Sequence, residues 1–525
     1  MKKIICLLPL SFLVKLSFAQ EPVITLSKTV GGTGAESIRD LIADRDGHLI
    51  ALGQCDSIDR DSSLHYHGGS SDIWLVKMDA GGNILWQKCF GGSKEDYAYQ
   101  IIQTADSGFL FAGWSYSHDG DINVSIYDFF TWIVKIDTNG NIQWQQGLVG
   151  SQPYDIIQLK SGKYLIACYT ANTTIDFPDH YGGAFSQDAW IWILSNSGAK
   201  DTAFHYGGSS DDYISNVIEL DNGELQLFGY TSSIDYDLTN TTDFGGRDGW
   251  ILKIDSTGGI VWQKRWGGNF SDEINGAVDL KAGFLIAGTS SSTDGILGES
   301  KGPPDIWIMK VDLNGELQST FLYGAAGNQT MHDRLRIIKV NGGKYAIAAI
   351  TDYGGGDVGS VYGLNDFWFF TVDSNGTLQD SKVAGGSSYD TPFSNISSGG
   401  NEAILSGITS SNDFDVQGYH ANGDGWIIKI EGFTGIAEVS AYQKNIVSIF
   451  PNPAHDIASV YMDMATVQQS QTLDLYNLQG QFVCSYKIGK SSNQFSVTEI
   501  SRGLYLFQLK GKTGQTLASG NFMVQ

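Results

Sequence analysis

The sequence predicts an all-β protein made by repeating one supersecondary unit, and three observations carry that prediction. A tryptophan returns at positions 74, 132, 190, 250, 307, 368 and 426, in steps of 58, 58, 60, 57, 61 and 58. Seven copies at nearly constant period mark a repeat architecture. Turn signals separate the apolar runs, as in Asp137-Thr138-Asn139-Gly140, Asp312-Leu313-Asn314-Gly315 and Asp373-Ser374-Asn375-Gly376. The composition, 65 glycines and 9 prolines with only 17% charged residues in 525, suits short strands and tight turns, not helical bundles.

Taken in order, residues 1–19 read as a secretory signal. Lys2 and Lys3 precede an apolar stretch, and Ser17-Phe18-Ala19 offers a small-residue cleavage site. No later run approaches the ~18 apolar residues of a membrane span. Residues 20–433 hold the repeat. In its second copy, strands are expected over 97–104, 109–114, 131–136 and 141–148, with Asn-Gly or Asp-Gly turns of type I′. Each unit is therefore a four-stranded antiparallel meander.

Seven such meanders suggest a seven-bladed β-propeller, with an open solenoid as the competing arrangement. The chain ends separate the two. After Trp426 the last copy lacks a fourth strand, while residues 23–32 match residues 83–92, a fourth strand with its Gly-Gly ending. The N-terminal strand is therefore expected to complete the last blade and close the ring, removing exposed edges. Short turns then share one face, and the long loops after each second strand share the other with the Gly-Gly junctions. Binding loops are usually long and varied, so any ligand site is expected on the second face.

Candidate chemistry follows that face. Acids after the Gly-Gly junctions, Asp96, Asp212, Asp272 and Asp390, are candidate ligand-face residues. Acidic pairs in the long loops are candidate calcium ligands, because calcium takes six to eight oxygens. They are Asp59 with Asp61, Asp119 with Asp121, Asp235 with Asp237, and Asp413 with Asp415. No other cofactor is expected. The Asp before each Trp (Asp72, Asp188, Asp248, Asp305, Asp366, Asp424) and the recurring His67, His180 and His420 read as structural parts of the repeat. No Ser–His–Asp set, nucleophile elbow or His-Glu-x-x-His is present. The formal net charge is −24, and setting aside the three leader lysines takes it to −27, which opposes nucleic acid and anionic lipid. Cys55, Cys89, Cys168 and Cys484 are scattered without paired spacing and are expected as free thiols.

The period stops at Phe433. A linker over 434–444 leads to a module of alternating strands over 445–525, expected as a small Ig-like β-sandwich. Its opening Ile449-Phe450-Pro451-Asn452-Pro453-Ala454, its middle Asp474-Leu475-Tyr476-Asn477-Leu478-Gln479-Gly480-Gln481 and its late Ile500-Ser501-Arg502-Gly503-Leu504-Tyr505-Leu506 resemble the type A C-terminal sorting domain of the type IX secretion system. In that resemblance Pro451, Asn452, Pro453, Gly480, Gly503 and Tyr505 carry the motif. It implies export across both membranes of a Bacteroidota-type bacterium, with the secretion machinery as partner and surface attachment or release as the end point. One departure is the ending Gly520-Asn521-Phe522-Met523-Val524-Gln525, which lacks the lysine often found in the last strand. The repeat region resembles the propeller-type repeats of large exported proteins of those bacteria, through Gly91-Gly92-Ser93, Asp72-Ile73-Trp74 and Gly82-Asn83-Ile84-Leu85-Trp86-Gln87-Lys88. Function is thus expected to be non-enzymatic binding of a glycan, peptide or surface protein. The alternative is a polysaccharide hydrolase or lyase with carboxylates at the channel mouth.

Overall fold

The computed structural model describes residues 22–524 except 57–65, 127–128, 172, 184–185, 298–299, 332–335, 398–401, 421, 433–446, 451–456, 463–469, 478–480, 489–491, 499 and 512–515. The leader, the linker, Asp59, Asp61, Pro451, Asn452, Pro453 and Gly480 lie outside the described residues. The chain divides into two compact units, Met1–Ile436 and Ala437–Gln525. Both are all-β, and the described residues contain no α-helix.

The larger unit consists of antiparallel sheets of consecutive strands, numbered here 1 to 7 by the tryptophans from Trp74 to Trp426. Sheet 2 is typical, with strands Asp96–Gln103, Phe109–Ser115, Phe130–Ile136 and Ile142–Val149, each within a residue of its expected bounds. Sheet 6 differs: its first strand is broken into Gln329–Thr330 and Ile338–Lys339. In sheet 7 the strands Asp390–Ile396, Glu402–Thr409 and Asp424–Glu431 are followed outward by Val23–Val30, with Ile24 opposite Ile430 and Thr29 opposite Trp426.

Burial explains the repeat. The third strand is central in its sheet, so Phe130–Ile136 and Asp366–Val372 are buried at every position, whereas fourth strands such as Ile84–Phe90 are partly exposed. The indoles of Trp74, Trp132 and Trp250 donate from Nε1 to Gln87, Gln145 and Gln263 Oε1 at 3.1, 3.0 and 2.9 Å. Trp307 and Trp368 find Thr320 and Ser381. In each case the acceptor lies on the fourth strand. Trp426 finds it on the N-terminal strand, at Ser27 Oγ, 3.0 Å away.

One expectation is corrected. The turns after the third strands are not type I′: Asn139, Asn314 and Asn375 keep negative φ, and only the glycine after each is left-handed, as at Gly140 (φ 76°). A bulge follows, where Ile136 pairs with Ile142, so these are three-residue turns with a Gly-bearing bulge. Cys55, Cys89, Cys168 and Cys484 are free thiols, as expected. The Sγ atoms of Cys55 and Cys89 lie 3.2 Å apart, a proximity their spacing did not announce. The Cys89 thiol and burial together push the Cys55 thiol up.

The smaller unit pairs a three-stranded sheet (Val447–Phe450, Ile457–Met462, Ser492–Ser496) with a four-stranded one (Phe482–Lys487, Ser470–Tyr476, Gly503–Gly511, Thr516–Val524). Ala458, Val460 and Phe495 from one sheet and Leu473, Leu475, Phe507 and Leu509 from the other share one core. The alternation over 445–525 predicts strands at 446–450, 458–462, 472–476, 495–499 and 504–510; the structure places the fourth three residues earlier, at Ser492–Ser496, and adds Phe482–Lys487.

Candidate functional site

Each sheet has a turn end and a loop end. At the loop end the first strand begins and the long loop leaves the second. In sheet 2 the backbone amides of the Gly-Gly-Ser junction are met in succession by side chains. Gly91 N donates to Asp121 Oδ2 (3.4 Å), Gly92 N to Asp96 Oδ2 (2.7 Å), Ser93 N to Asp119 Oδ1 (2.7 Å) and Lys94 N to Ser117 Oγ (2.9 Å). Sheet 4 repeats this with Asp237, Asp212, Asp235 and Ser233, and sheet 7 with Asp415, Asp390, Asp413 and Ser411. Consecutive amides form a concave anion site; here the chain's own carboxylates fill it.

Asp96, Asp212, Asp272 and Asp390 are accordingly buried and not displayed to solvent. Each also takes two hydroxyls, as Asp96 does from Ser115 (2.5 Å) and Ser117 (2.9 Å). Burial raises all four, with Asp212 pushed up to about 7. The acids before the tryptophans are buried beside them. Burial raises Asp72, Asp248 and Asp366 to about 6, and Oδ1 of each has no hydrogen-bond partner. That oxygen rests against the first junction glycine. A Cβ on Gly91 would lie 2.7 Å from Asp72 Oδ1 and 2.6 Å from Asp96 Oδ2, so the position requires glycine.

The described acidic pairs expected as calcium ligands each turn an oxygen toward an amide hydrogen of the junction. Asp119, Asp121, Asp235, Asp237, Asp413 and Asp415 each accept at least one backbone N–H of the junction. Each of these contacts uses one oxygen of the carboxylate and clamps the loop to the junction. The fourth pair, Asp59 and Asp61, falls in the stretch 57–65 and so outside the described residues. At the turn end, Asp44, Asp46 and His48 bring ligand atoms within 4.8 Å of one another, but Lys77 Nζ already sits 2.8 Å from Asp44 Oδ2. The histidines serve the buried acids: Nδ1 of His67, His180 and His420 lies 3.2, 2.9 and 3.0 Å from Asp72, Asp188 and Asp424 Oδ2.

The first strands carry a feature that the sequence did not disclose. A bulge in each of several first strands aims a side chain at the next sheet's backbone. Asp40 accepts Ile101 N (2.9 Å), Gln100 accepts Ile156 N (2.6 Å), Asp155 accepts Val217 N (2.7 Å) and Asn216 accepts Ala277 N (3.1 Å). Ser394 Oγ of sheet 7 donates to Asp40 of sheet 1 at 2.7 Å. Arg336 Nη2 of sheet 6 reaches Asp155 Oδ1 of sheet 3 at 3.0 Å. Asp155 is fully buried, and that burial raises it against the pull of the Arg336 charge.

Aromatic side chains gather at the loop end. Tyr97 and Trp114 stack at 4.8 Å with planes 3° apart, and Tyr116 and Phe129 extend the cluster. Tyr154, Tyr169, Tyr213 and Tyr230 form a second run, with neighbouring centroids 5.2, 4.8 and 4.7 Å apart. The Arg39 guanidinium lies between Tyr97 and Phe393, at 4.7 and 4.2 Å, and Arg247 covers Tyr230. Tyr116, Ile234, Tyr236, Phe270, Tyr353, Tyr389 and Phe414 are exposed at this end. The described turns at the other end expose Leu313; Ile175 and Leu364 are exposed on long loops, and Val23, Ile84, Leu85, Ile260 and Val261 lie on outermost strands. Sequence reasoning assigned ligand binding to this end but named its acids instead of its rings.

Comparison with known proteins bears most directly on the tail. Residues 448–520 match the secretion system C-terminal sorting domain. Of its motif residues, Tyr505 is buried, with its hydroxyl on Ser501 O at 2.6 Å, and Gly503 is exposed at φ 155°. No curated protein matches the chain in sequence. Among solved structures, a protein of unknown function from Dyadobacter fermentans is similar at 11% identity and TM-score 0.39, over 78% of this chain and 99% of that one. PorZ, a surface component of the type IX secretion system of Porphyromonas gingivalis, is similar at 10% identity and TM-score 0.34, over 91% of this chain and 58% of that one. The Dos1 propeller is similar at 9% identity and TM-score 0.37, over 77% of this chain and 93% of that one. Among the described residues, no helix is long and apolar enough to cross a membrane. Residues 448–520 are a type IX sorting domain, and the chain that carries them is exported to the cell surface or the extracellular space.

Proposed function

We propose that residues 22–431 form a seven-bladed β-propeller closed by its N-terminal strand, and that its loop face binds an extracellular glycan, peptide or surface protein without transforming it. The ring reading is supported by the pairing of Val23–Val30 with Asp424–Glu431 and by the Ser394–Asp40 bond between the last and first sheets. In a ring, the Arg336–Asp155 pair spans the channel.

The binding reading rests on one observation, the concentration of aromatic and exposed apolar side chains at the loop end. Contiguous exposed apolar surface on a soluble protein marks an interaction site. Hydrolysis of a glycoside would need two open carboxylates. The inner-edge acids Asp40 and Asp155 are buried and hydrogen-bonded, which favours binding over catalysis.

The test uses the mature chain on glycan and surface-protein arrays, beside a reducing-end assay for hydrolysis. Trp114→Ala and Tyr116→Ala are expected to weaken binding by at least about tenfold while a thermal melt stays cooperative, since aromatic anchors dominate interface energetics. Hydrolysis abolished by a single carboxylate substitution would overturn the reading.

A further inference from the structure

Two loops place an exposed ring where three others place glycine. The residue at this place, between two acids in sheets 2, 4 and 7 and beside one acid in sheets 5 and 6, is left-handed in all five: Gly120 (φ 67°), Tyr236 (φ 49°), Gly295 (φ 68°), Gly356 (φ 55°) and Phe414 (φ 51°). L-residues with large side chains avoid this region. The surroundings also disfavour a side chain, because a Cβ on Gly120, Gly295 or Gly356 would come within 2.3, 2.5 or 2.4 Å of a junction carbonyl oxygen. The backbone bond at this point is the same with or without the ring: Asp121 N to Gly91 O, Asp357 N to Gly324 O, Asp237 N to Gly207 O and Asp415 N to Gly385 O, at 2.9 to 3.2 Å. Closing the loop therefore does not need an aromatic residue. Yet Tyr236 and Phe414 are retained there at 55% and 64% exposure.

Each ring is backed from below. Tyr236 stacks on Tyr181 at 4.3 Å and 14°, Tyr181 on His205 at 4.2 Å, and His205 on the buried Trp190 at 4.6 Å. Phe414 lies 5.1 Å from Tyr362, which, like Tyr181, donates its backbone N–H to the acid before the next tryptophan. Strain held at an exposed, pre-oriented side chain points to function.

We propose that Tyr236 and Phe414 are stacking platforms for two pyranose rings of a neutral polysaccharide; this rests on the loop-face binding reading and narrows it to one ligand class. The apolar C–H face of a pyranose matches a flat, rigid ring. Asp235 and Asp237 bracket one platform and Asp413 and Asp415 the other, offering acceptors for sugar hydroxyls, while a chain of net charge −24 repels anionic polymers. The platforms sit three sheets apart, which calls for a polymer and not a monosaccharide.

Affinity electrophoresis of the mature chain in gels containing β-glucan, mannan, xylan or alginate tests this, with Tyr236→Gly, Phe414→Gly and the double variant. Retardation by at least one neutral polymer and not by alginate is expected. The double variant should bind at least about tenfold more weakly, with its Tm unchanged or raised, because glycine relieves the left-handed backbone. Retardation of the double variant equal to that of the unmodified chain overturns the proposal. If Trp114→Ala alone abolishes binding, the face reading stands and the platforms fall. If no neutral polymer binds but a surface protein does, the saccharide assignment falls and the binding face survives; if nothing binds, both fail.

Discussion

At the turn end of sheet 2, Asp137 Oδ1 accepts the amides of Asn139 and Asn141, 2.9 and 2.8 Å away, within five residues of chain. At the loop end, Asp119 reaches the amide of Ser93 across 26 positions, and Asp96 closes the same junction from a buried strand start. Both ends use a carboxylate to hold a turn. The first cap is local, exposed and replaceable by water. The second is buried at Asp96, so losing that acceptor leaves the Gly92 amide with nowhere to go, and an unsatisfied buried donor costs roughly 1–3 kcal/mol. The end built from distant, buried partners is also the end that displays the aromatic residues. Its rigidity holds them in place.

This contrast can be sharpened by removing parts in order of reach. Deleting residues 22–30 takes away the outer strand of sheet 7 and the acceptor of the Trp426 indole, and should abolish cooperative unfolding of the larger unit in calorimetry. A two-state melt near that of the full chain would break the account of how the last sheet is completed. Asp155→Ala removes a buried carboxylate that answers Arg336, Val217 N and Gln100. Arg336 keeps access to water, but the buried Val217 amide loses its acceptor, at roughly 1–3 kcal/mol, to be read from denaturant unfolding.

A smaller effect comes from pH. Asp72, Asp248 and Asp366, at about 6, and Asp212, at about 7, keep protons in the folded chain that the unfolded chain has released above pH ~4. The folded state therefore binds more protons between about pH 4 and 7, and stability falls as pH rises through that window. The melting temperature at pH 5 should exceed that at pH 8 by several degrees. Turn-end acids such as Asp79 and Asp137 are shifted down by their own turn hydrogen bonds and act only in stronger acid. A melting temperature that rose from pH 5 to 8 would contradict the buried placement of the loop-end acids. The smallest change is expected from Asp137→Ala, about 1–2 °C in a melt, since exposed positions contribute little.

The sequence revealed what local chemistry dictates. The tryptophan period survived because each indole fills the same buried slot, and all but that of Trp190 find an acceptor on the outermost strand. Strand bounds in sheet 2 came out within a residue because Asp and Gly punctuate them. The aromatic cluster was not legible, since Tyr97, Trp114, Tyr154 and Tyr213 come from three sheets and no spacing rule joins them. The cross-sheet bonds of Asp40, Gln100 and Asp155 depend on bulges, which alternation hides. The loop acids were noticed for their pairing, but whether a carboxylate meets an amide or a cation is decided by which way the junction folds. In the tail, Phe482–Lys487 was missed because its Phe482 and Val483 are exposed and break the alternation expected of a half-buried strand.

Ser27 lies 399 positions before the indole it serves. A ribosome must deliver almost the whole larger unit before that bond can form, so the opening segment has to wait as an unmatched edge. Contacts of such long range form slowly and late. A sheet whose outer strand is made first and whose inner strands are made last stays incomplete until synthesis has nearly passed through the whole unit.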